Sequence, residues 1–273
     1  MNFKKKLIWL IAVIYPPYFI EKAFTFLTKP MQFKLLPHEK KVLDTAKKNT
    51  YKFQDFDIQC YQWGKGNTRI LMVHGWEGHA GNFAKLIPLL TKNDYTVYAF
   101  DGPSHGASSR EKTSPFEFTK LVEELIKLFK VTQIVSHSFG GVAALGALGK
   151  NPEIQINRYV AFTIPNKFSE RIREVCSEFG LPEKVIRQLI DKIEREEGVS
   201  VETLNVEDYA KQSSVHKALL LHDINDRILP IRKSAEVAEK WKNAELVEVK
   251  NTGHYKILTD SHSLNITVSF LTN

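Results

Sequence analysis

The chain has 273 residues, 43% of them hydrophobic and 25% charged, with a formal net charge of +7. This is ordinary globular composition, sufficient for a sizeable core in one α/β domain. The lysines are spread along the chain with no basic block interleaved with aromatics, which argues against nucleic acid as a partner. Cys60 and Cys176 form neither a C-x-x-C pair nor a disulfide framework, and they suit a reducing compartment.

The first predicted feature is an apolar arm. MNFKKK precedes LIWLIAVI and then YPPYFI. Three lysines before an apolar run resemble the front of a signal peptide. The unbroken run is short, Leu7 to Ile14, whereas a membrane span needs about 20 residues. Pro16-Pro17 interrupts it, and no small-residue cleavage site follows. Three readings stay open: an arm packed on the domain, a weak membrane-surface contact through residues 1–30, or a poor signal sequence. The first two are favoured, which predicts a cytoplasmic protein, free or peripheral at a membrane.

Residues 37–50 read as a polar helix. From Tyr51, YKFQDF and IQCYQWG alternate apolar and polar residues, as antiparallel strands do. Gly64 and Gly66 punctuate a turn. A repeating unit of apolar strand, loop and amphipathic helix follows. RILMVHG is a continuous apolar strand suited to burial on both faces, a helix covers roughly residues 82–91, and TVYAFDG is the next strand. Ser114 and Glu117 make a capping box, with Pro115 at the first helical position. Phe118, Leu121, Val122, Leu125 and Phe129 form one stripe of that helix. QIVSHS is a strand, FGGVAALGALG a helix and YVAFTIP a strand.

Residues 166–214 carry no strand signal. Ile186, Leu189, Ile190 and Ile193 share a helical face ended by Gly198, so this is a charged helical insertion. Then come strand KALLLHD, a helix near residues 231–242, strand AELVEV and a final helix from Ser261. The pattern predicts an α/β fold, a mostly parallel eight-stranded sheet with helices on both faces. The expected parts are an arm and helix (1–50), a core (51–165 with 215–273) and the insertion (166–214).

The chemistry concentrates where QIVSHS meets FGGVAALGALG. A serine on a sharp strand-to-helix turn projects its hydroxyl above the sheet, and crowding requires small residues two before and two after. Ser138 has Ser136 and Gly140 there. The helix N-terminus also favours negative charge beside it. At this point the sequence resembles the α/β-hydrolase superfamily, specifically serine esterases and lipases with a helical lid. The family's G-x-S-x-G stands as Ser136-His137-Ser138-Phe139-Gly140. VHGWEG, residues 73–78, resembles the family's His-Gly oxyanion loop, which implies oxyanion donors at the Trp76 and Phe139 N–H groups. DGPSHGAS resembles D-x-x-G-H-G-x-S, with Ser104 where glycine is usual, and reads as structural.

A serine needs a base, and the base needs an acid that fixes its tautomer. The family's chain order is serine, acid, histidine. HDINDRILP resembles H-G-x-x-D-x-x-V-P, implying Asp226 as the acid, and NTGHYKIL carries the family's Gly-His at Gly253-His254. Asp223 sits nearer the strand end and stays open as an alternative acid. The implied catalytic set is Ser138, Asp226 and His254. The resemblance implies hydrolysis of an apolar small-molecule acyl substrate without cofactor or metal, and an insertion acting as lid. A serine nucleophile argues against the family's epoxide and haloalkane hydrolases. Acyltransferase, non-haem peroxidase or C–C hydrolase chemistry on the same triad stays open, as does a non-catalytic ligand-binding member. Nothing in the sequence assigns an oligomeric state.

Other candidates carry plainer readings. Nine histidines invite a metal hypothesis, yet His74, Glu77 and His79 do not form H-E-x-x-H and fall in a loop. His74 is expected to order the oxyanion loop, His105 and His222 their own loops, and His137 to be buried and hydrogen-bonded. No G-K-[ST] follows the glycines at 64, 66, 75 and 78, so there is no phosphate loop. Asn265-Ile-Thr267 is a sequon inside a predicted helix.

Overall fold

The structure is a computed structural model describing residues 3–109 and 112–273; Met1 and Asn2, the start of the predicted arm, lie outside these. Eight strands form one sheet: β1 (Lys47–Phe53), β2 (Phe56–Trp63), β3 (Thr68–Val73), β4 (Tyr95–Phe100), β5 (Gln133–His137), β6 (Gln155–Phe162), β7 (Ser214–Asp223) and β8 (Ala244–Val249). Their order is β1-β2-β4-β3-β5-β6-β7-β8. β1 and β2 join antiparallel, and every pairing from β4 to β8 is parallel. The helices are α1 (Phe3–Ile14), α2 (Pro16–Thr28), α3 (Pro37–Leu43), α4 (Ile87–Thr91), α5 (Pro115–Phe129), α6 (Phe139–Lys150), α7 (Phe168–Glu178), α8 (Glu183–Glu197), α9 (Val206–Gln212), α10 (Arg232–Lys240), α11 (Gly253–Lys256) and α12 (Ser261–Thr272).

The sheet separates two hydrophobic clusters. Along β3, Leu71 and Val73 enter one, while Ile70 and Met72 enter the other. Burial on both faces is why RILMV is apolar at every position after the arginine, rather than alternating. The stripe predicted on α5 lies in the first cluster with Ala143, Ala144 and Ala147 of α6. Ser114 caps α5, its hydroxyl accepting from the Glu117 N–H at 3.2 Å.

Two expectations about secondary structure need correction. The helix predicted over residues 37–50 ends at Leu43, and Lys47 onward enters β1. Pairing with β2 across a turn at Gln54 overrides the local helical preference. The helix predicted near residues 82–91 is a 3₁₀ turn, Ala80–Phe83, followed by the short α4. Pro88 sits in the first turn of α4. It has no N–H for a bond to an earlier carbonyl, so one continuous helix cannot run through it.

The chain divides into two compact units. Residues up to Lys29 and Lys167–Asn205 form one; Pro30–Asn166 and Val206–Asn273 form the other. The insertion is therefore shorter than the predicted 166–214. α9 belongs with the sheet: Val206 and Ala210 enter its core, and Gly149 of α6 lies so close to Tyr209 that a Cβ there would meet its Cα at 2.7 Å. In the smaller unit, the arm packs on α8. Lys192 bonds Glu21 at 3.0 Å and lies over the Phe24 ring at 4.7 Å. Among the described residues, no single helix is long and apolar enough to cross a membrane.

Candidate active site

Ser138 occupies the single residue between β5 and α6, with φ 50° and ψ −122°. A non-glycine residue held there stores about 1–3 kcal/mol of strain. The surroundings enforce it: the Ser138 N–H donates to the Phe162 carbonyl, and the Gly141 N–H to the Ser138 carbonyl, both at 2.9 Å. A Cβ on Gly140 would come within 2.3 Å of the Val73 carbonyl oxygen, so this position admits only glycine. Ser136, where glycine is usual, is fully buried and shares a 2.7 Å hydrogen bond with the Tyr159 hydroxyl. That bond satisfies the extra polar atom and explains why the substitution is tolerated.

His254 lies in α11, after β8, with its Nε2 3.1 Å from Ser138 Oγ. Its Nδ1 is 2.8 Å from Asp226 Oδ2. The other Asp226 oxygen accepts from the Ile228 and Leu229 N–H groups at 2.8 and 3.0 Å. Desolvation pushes the Asp226 pKa up. The bonds from His222, His254 and Leu229 outweigh it and hold the carboxyl well below the usual range. An ionised Asp226 can only accept, so Nδ1 of His254 carries the proton and Nε2 is free to accept from the serine.

Asp223, the alternative acid, faces elsewhere. Its Oδ2 accepts from the Thr252 N–H, from Thr252 Oγ1 at 2.9 Å and from the Gly253 N–H at 2.7 Å; Oδ1 accepts from the Asn225 N–H at 2.7 Å. It braces the start of α11 rather than the imidazole.

The loop after β3 lies against the elbow. His74 Nε2 accepts from the Gly102 N–H at 2.9 Å, so its Nδ1–H donates to the Gly75 carbonyl at 2.7 Å. Burial keeps this ring neutral, its pKa well below 6.5. A Cβ on Gly75 would sit 3.2 Å from the His137 carbonyl oxygen and 3.3 Å from Ser138 Cβ, so the chain passes the elbow at backbone contact. Trp76 follows immediately, and its ring meets that of Phe139 edge-on at 5.4 Å. Phe139 opens α6, where an N–H has no acceptor within the helix. His105 accepts from the Glu77 N–H at 3.1 Å and donates to the Pro103 carbonyl at 2.7 Å; burial lowers its pKa to about 4. Asp101 ties this layer together, accepting from the Ala80 and Ala107 N–H groups at 2.8 Å and from Tyr61 at 3.0 Å. Ser104 has φ 61°, which accounts for the glycine usual there.

A family model for the alpha/beta hydrolase fold matches residues 68–170. An esterase of Pyrococcus furiosus superposes with a TM-score of 0.63 at 19% identity, covering 90% of this chain and 97% of that one. The chain has the α/β-hydrolase fold. Within this α/β-hydrolase-fold chain, 94 residues are 32% identical to the uncharacterized hydrolase YugF of Bacillus subtilis, covering 33% of this chain and 34% of YugF. Over 94 residues it is also 30% identical to a pimeloyl-[acyl-carrier protein] methyl ester esterase of Xanthomonas campestris, 34% of this chain and 36% of that one. The matched stretch thus spans about a third of each relative's length.

Ser138, Asp226 and His254 of this α/β-hydrolase-fold chain converge at the C-terminal ends of β5, β7 and β8. Trp76 and Phe139 lie beside them. Two contributors were not legible in the sequence as parts of the site. His137 Nε2–H donates to the His254 carbonyl at 2.9 Å and fixes the base's backbone; burial lowers the His137 pKa to about 3, so the ring is neutral. A histidine ending an apolar strand was the available signal. Phe118 is fully buried with its ring 5.2 Å from His74 and 5.4 Å from Phe139, supporting both loops. Phe118→Ala is expected to cost about 3–5 kcal/mol of stability, measured by urea unfolding.

Proposed function

We propose that the protein is a serine hydrolase cleaving carboxylic esters of apolar acyl groups. The observation that carries this reading is the unbroken contact chain from Asp226 Oδ2 through both His254 nitrogens to Ser138 Oγ, at 2.8 and 3.1 Å. His254 Nε2 takes the hydroxyl proton as Oγ attacks the ester carbonyl. Asp226 stabilises the imidazolium without taking its proton. The Trp76 and Phe139 N–H groups hold the oxyanion, each such donor lowering the barrier by about 3 kcal/mol. His254 returns the proton to the leaving alcohol, leaving an acyl-Ser138 ester. Water, deprotonated by His254, releases the acid and restores the serine. None of these steps calls for a cofactor.

Two features support this reading, the first bearing on apolarity and the second on ester chemistry. The half-buried Trp76 and Phe139 rings lie beside the serine. Both the Pyrococcus furiosus protein and the Xanthomonas campestris relative are esterases by name.

A fluorophosphonate probe is expected to label wild-type protein at Ser138, mapped by peptide mass spectrometry, and to leave Ser138→Ala unlabelled. p-Nitrophenyl esters are expected to turn over faster as the acyl chain lengthens beyond acetyl. Wild-type protein that neither labels nor hydrolyses any ester of the series overturns the proposal.

A further inference from the structure

Helix α1 is apolar on every side from Leu7 to Ile14, yet only Ala12 is buried. A helix of that composition is ordinarily enclosed by protein or lipid. Here Trp9, Leu10, Val13 and Ile14 are exposed, Ile14 at 73%, and the patch continues past the bend through Tyr15 and Tyr18. A contiguous apolar surface of this kind marks an interaction face.

Charge selects the partner. Residues 3–29 hold five lysines, Lys4, Lys5, Lys6, Lys22 and Lys29, against one glutamate. That glutamate, Glu21, is already bonded to Lys192. Residues 167–205 of the same unit carry seven basic and nine acidic side chains, so the positive excess is confined to residues 3–29. Lysines in the first turn of α1, with Trp9, Tyr15 and Tyr18 flanking the aliphatic run, are the side chains that an anionic leaflet interface receives. Ammonium groups meet phosphates, amphipathic rings sit at the boundary, and aliphatic side chains enter the acyl region. A second copy of the chain fits less well, because it would set like charge against like.

Length sets the depth. At 1.5 Å per residue, α1 is about 18 Å long, short of the ~30 Å hydrocarbon layer. α2 departs from it at 115°. The pair therefore suits one leaflet. An apolar cavity of about 250 Å³ opens in this unit, lined by Ile8, Phe19, Ala23, Phe26, Leu27 and Phe179 among others.

We propose that α1 and its bend into α2 form a docking surface for the anionic leaflet of a membrane, lying within the interface without crossing it. This does not depend on the chemistry at Ser138. The test is co-sedimentation of the full chain with phosphatidylglycerol-containing vesicles and with pure phosphatidylcholine vesicles. Wild-type protein is expected to bind the anionic vesicles, to bind phosphatidylcholine at least about 10-fold more weakly, and to be released by alkaline carbonate. Replacing Lys4, Lys5 and Lys6 together by glutamine is expected to weaken anionic binding about 100-fold. Ile14→Glu weakens binding to both vesicle types, and because Ile14 is exposed, thermal unfolding stays at the wild-type midpoint. Four results overturn the proposal: no vesicle binding, equal binding by wild type and both variants, resistance to carbonate, or a lipid-free dimer that Ile14→Glu dissociates.

Discussion

Ser138→Ala is expected to lower kcat for any ester the protein hydrolyses by on the order of 10⁴–10⁶-fold. The reason lies in where the hydroxyl stands. It is bonded to His254 Nε2 at 3.1 Å, on a turn so tightly packed that a Cβ on Gly140 would meet the Val73 carbonyl oxygen at 2.3 Å. Without it, His254 can only activate water directly, and the covalent step is lost. His254→Ala is expected to cost about as much, because an unactivated hydroxyl is a poor nucleophile. The double variant is then expected to lose little beyond either single one, since serine and base act as a unit. Single-turnover kinetics on all three proteins measures this. Additive losses in the double variant would mean the two side chains act separately, and the relay would be wrong. The strain at φ 50° is set by the backbone bonds around the elbow, so the alanine protein is expected to unfold close to the wild-type midpoint.

How much of this was legible in the sequence depends on the range of the forces involved. The start of α5 was readable because Ser114, Pro115 and Glu117 carry its cap locally. The first half of β1, KKNT, was not, because it becomes extended only by pairing with β2, whereas the alternation from Tyr51 was readable. The boundary of the insertion was missed for a related reason. α9 has no apolar stripe longer than two turns, and its membership of the core rests on contact with Gly149, far away in the chain. The elbow was readable because steric crowding leaves a local signature in residue size. The supporting contacts of His137 and Phe118 were not, since a buried histidine and a core phenylalanine look the same in sequence whether or not they brace a site. The choice between Asp223 and Asp226 lay between these cases. Motif spacing favoured one, but only the course of the loop determines which carboxylate faces an imidazole and which faces the backbone of Thr252.

That choice gives the second large effect. Asp226→Asn is expected to lower kcat about 10⁴-fold with the fold retained. An asparagine amide presented to His254 Nδ1 favours the tautomer with its proton on Nε2, which cannot accept from Ser138. Asp223→Asn is expected to leave kcat within about 10-fold of wild type and to act on stability instead. It removes a buried charge that accepts from Thr252 and Gly253, at a cost of about 1–3 kcal/mol. The two variants also separate by pH. Desolvation raises the Asp226 pKa, but its hydrogen bonds win and the folded value lies below the unfolded one of about 3.9. Its stabilising contribution is therefore present above that unfolded value and is lost as pH falls through the folded one. Asp223, also lowered by its N–H and hydroxyl donors against desolvation, behaves with the same sign. Each asparagine variant should thus lose less stability than wild type on acidification, but only Asp226→Asn should also lose turnover at neutral pH. Urea unfolding from pH 7 down to about 3, alongside kcat at pH 7, distinguishes the two. Full turnover in Asp226→Asn with collapse in Asp223→Asn would reverse the assignment of the acid.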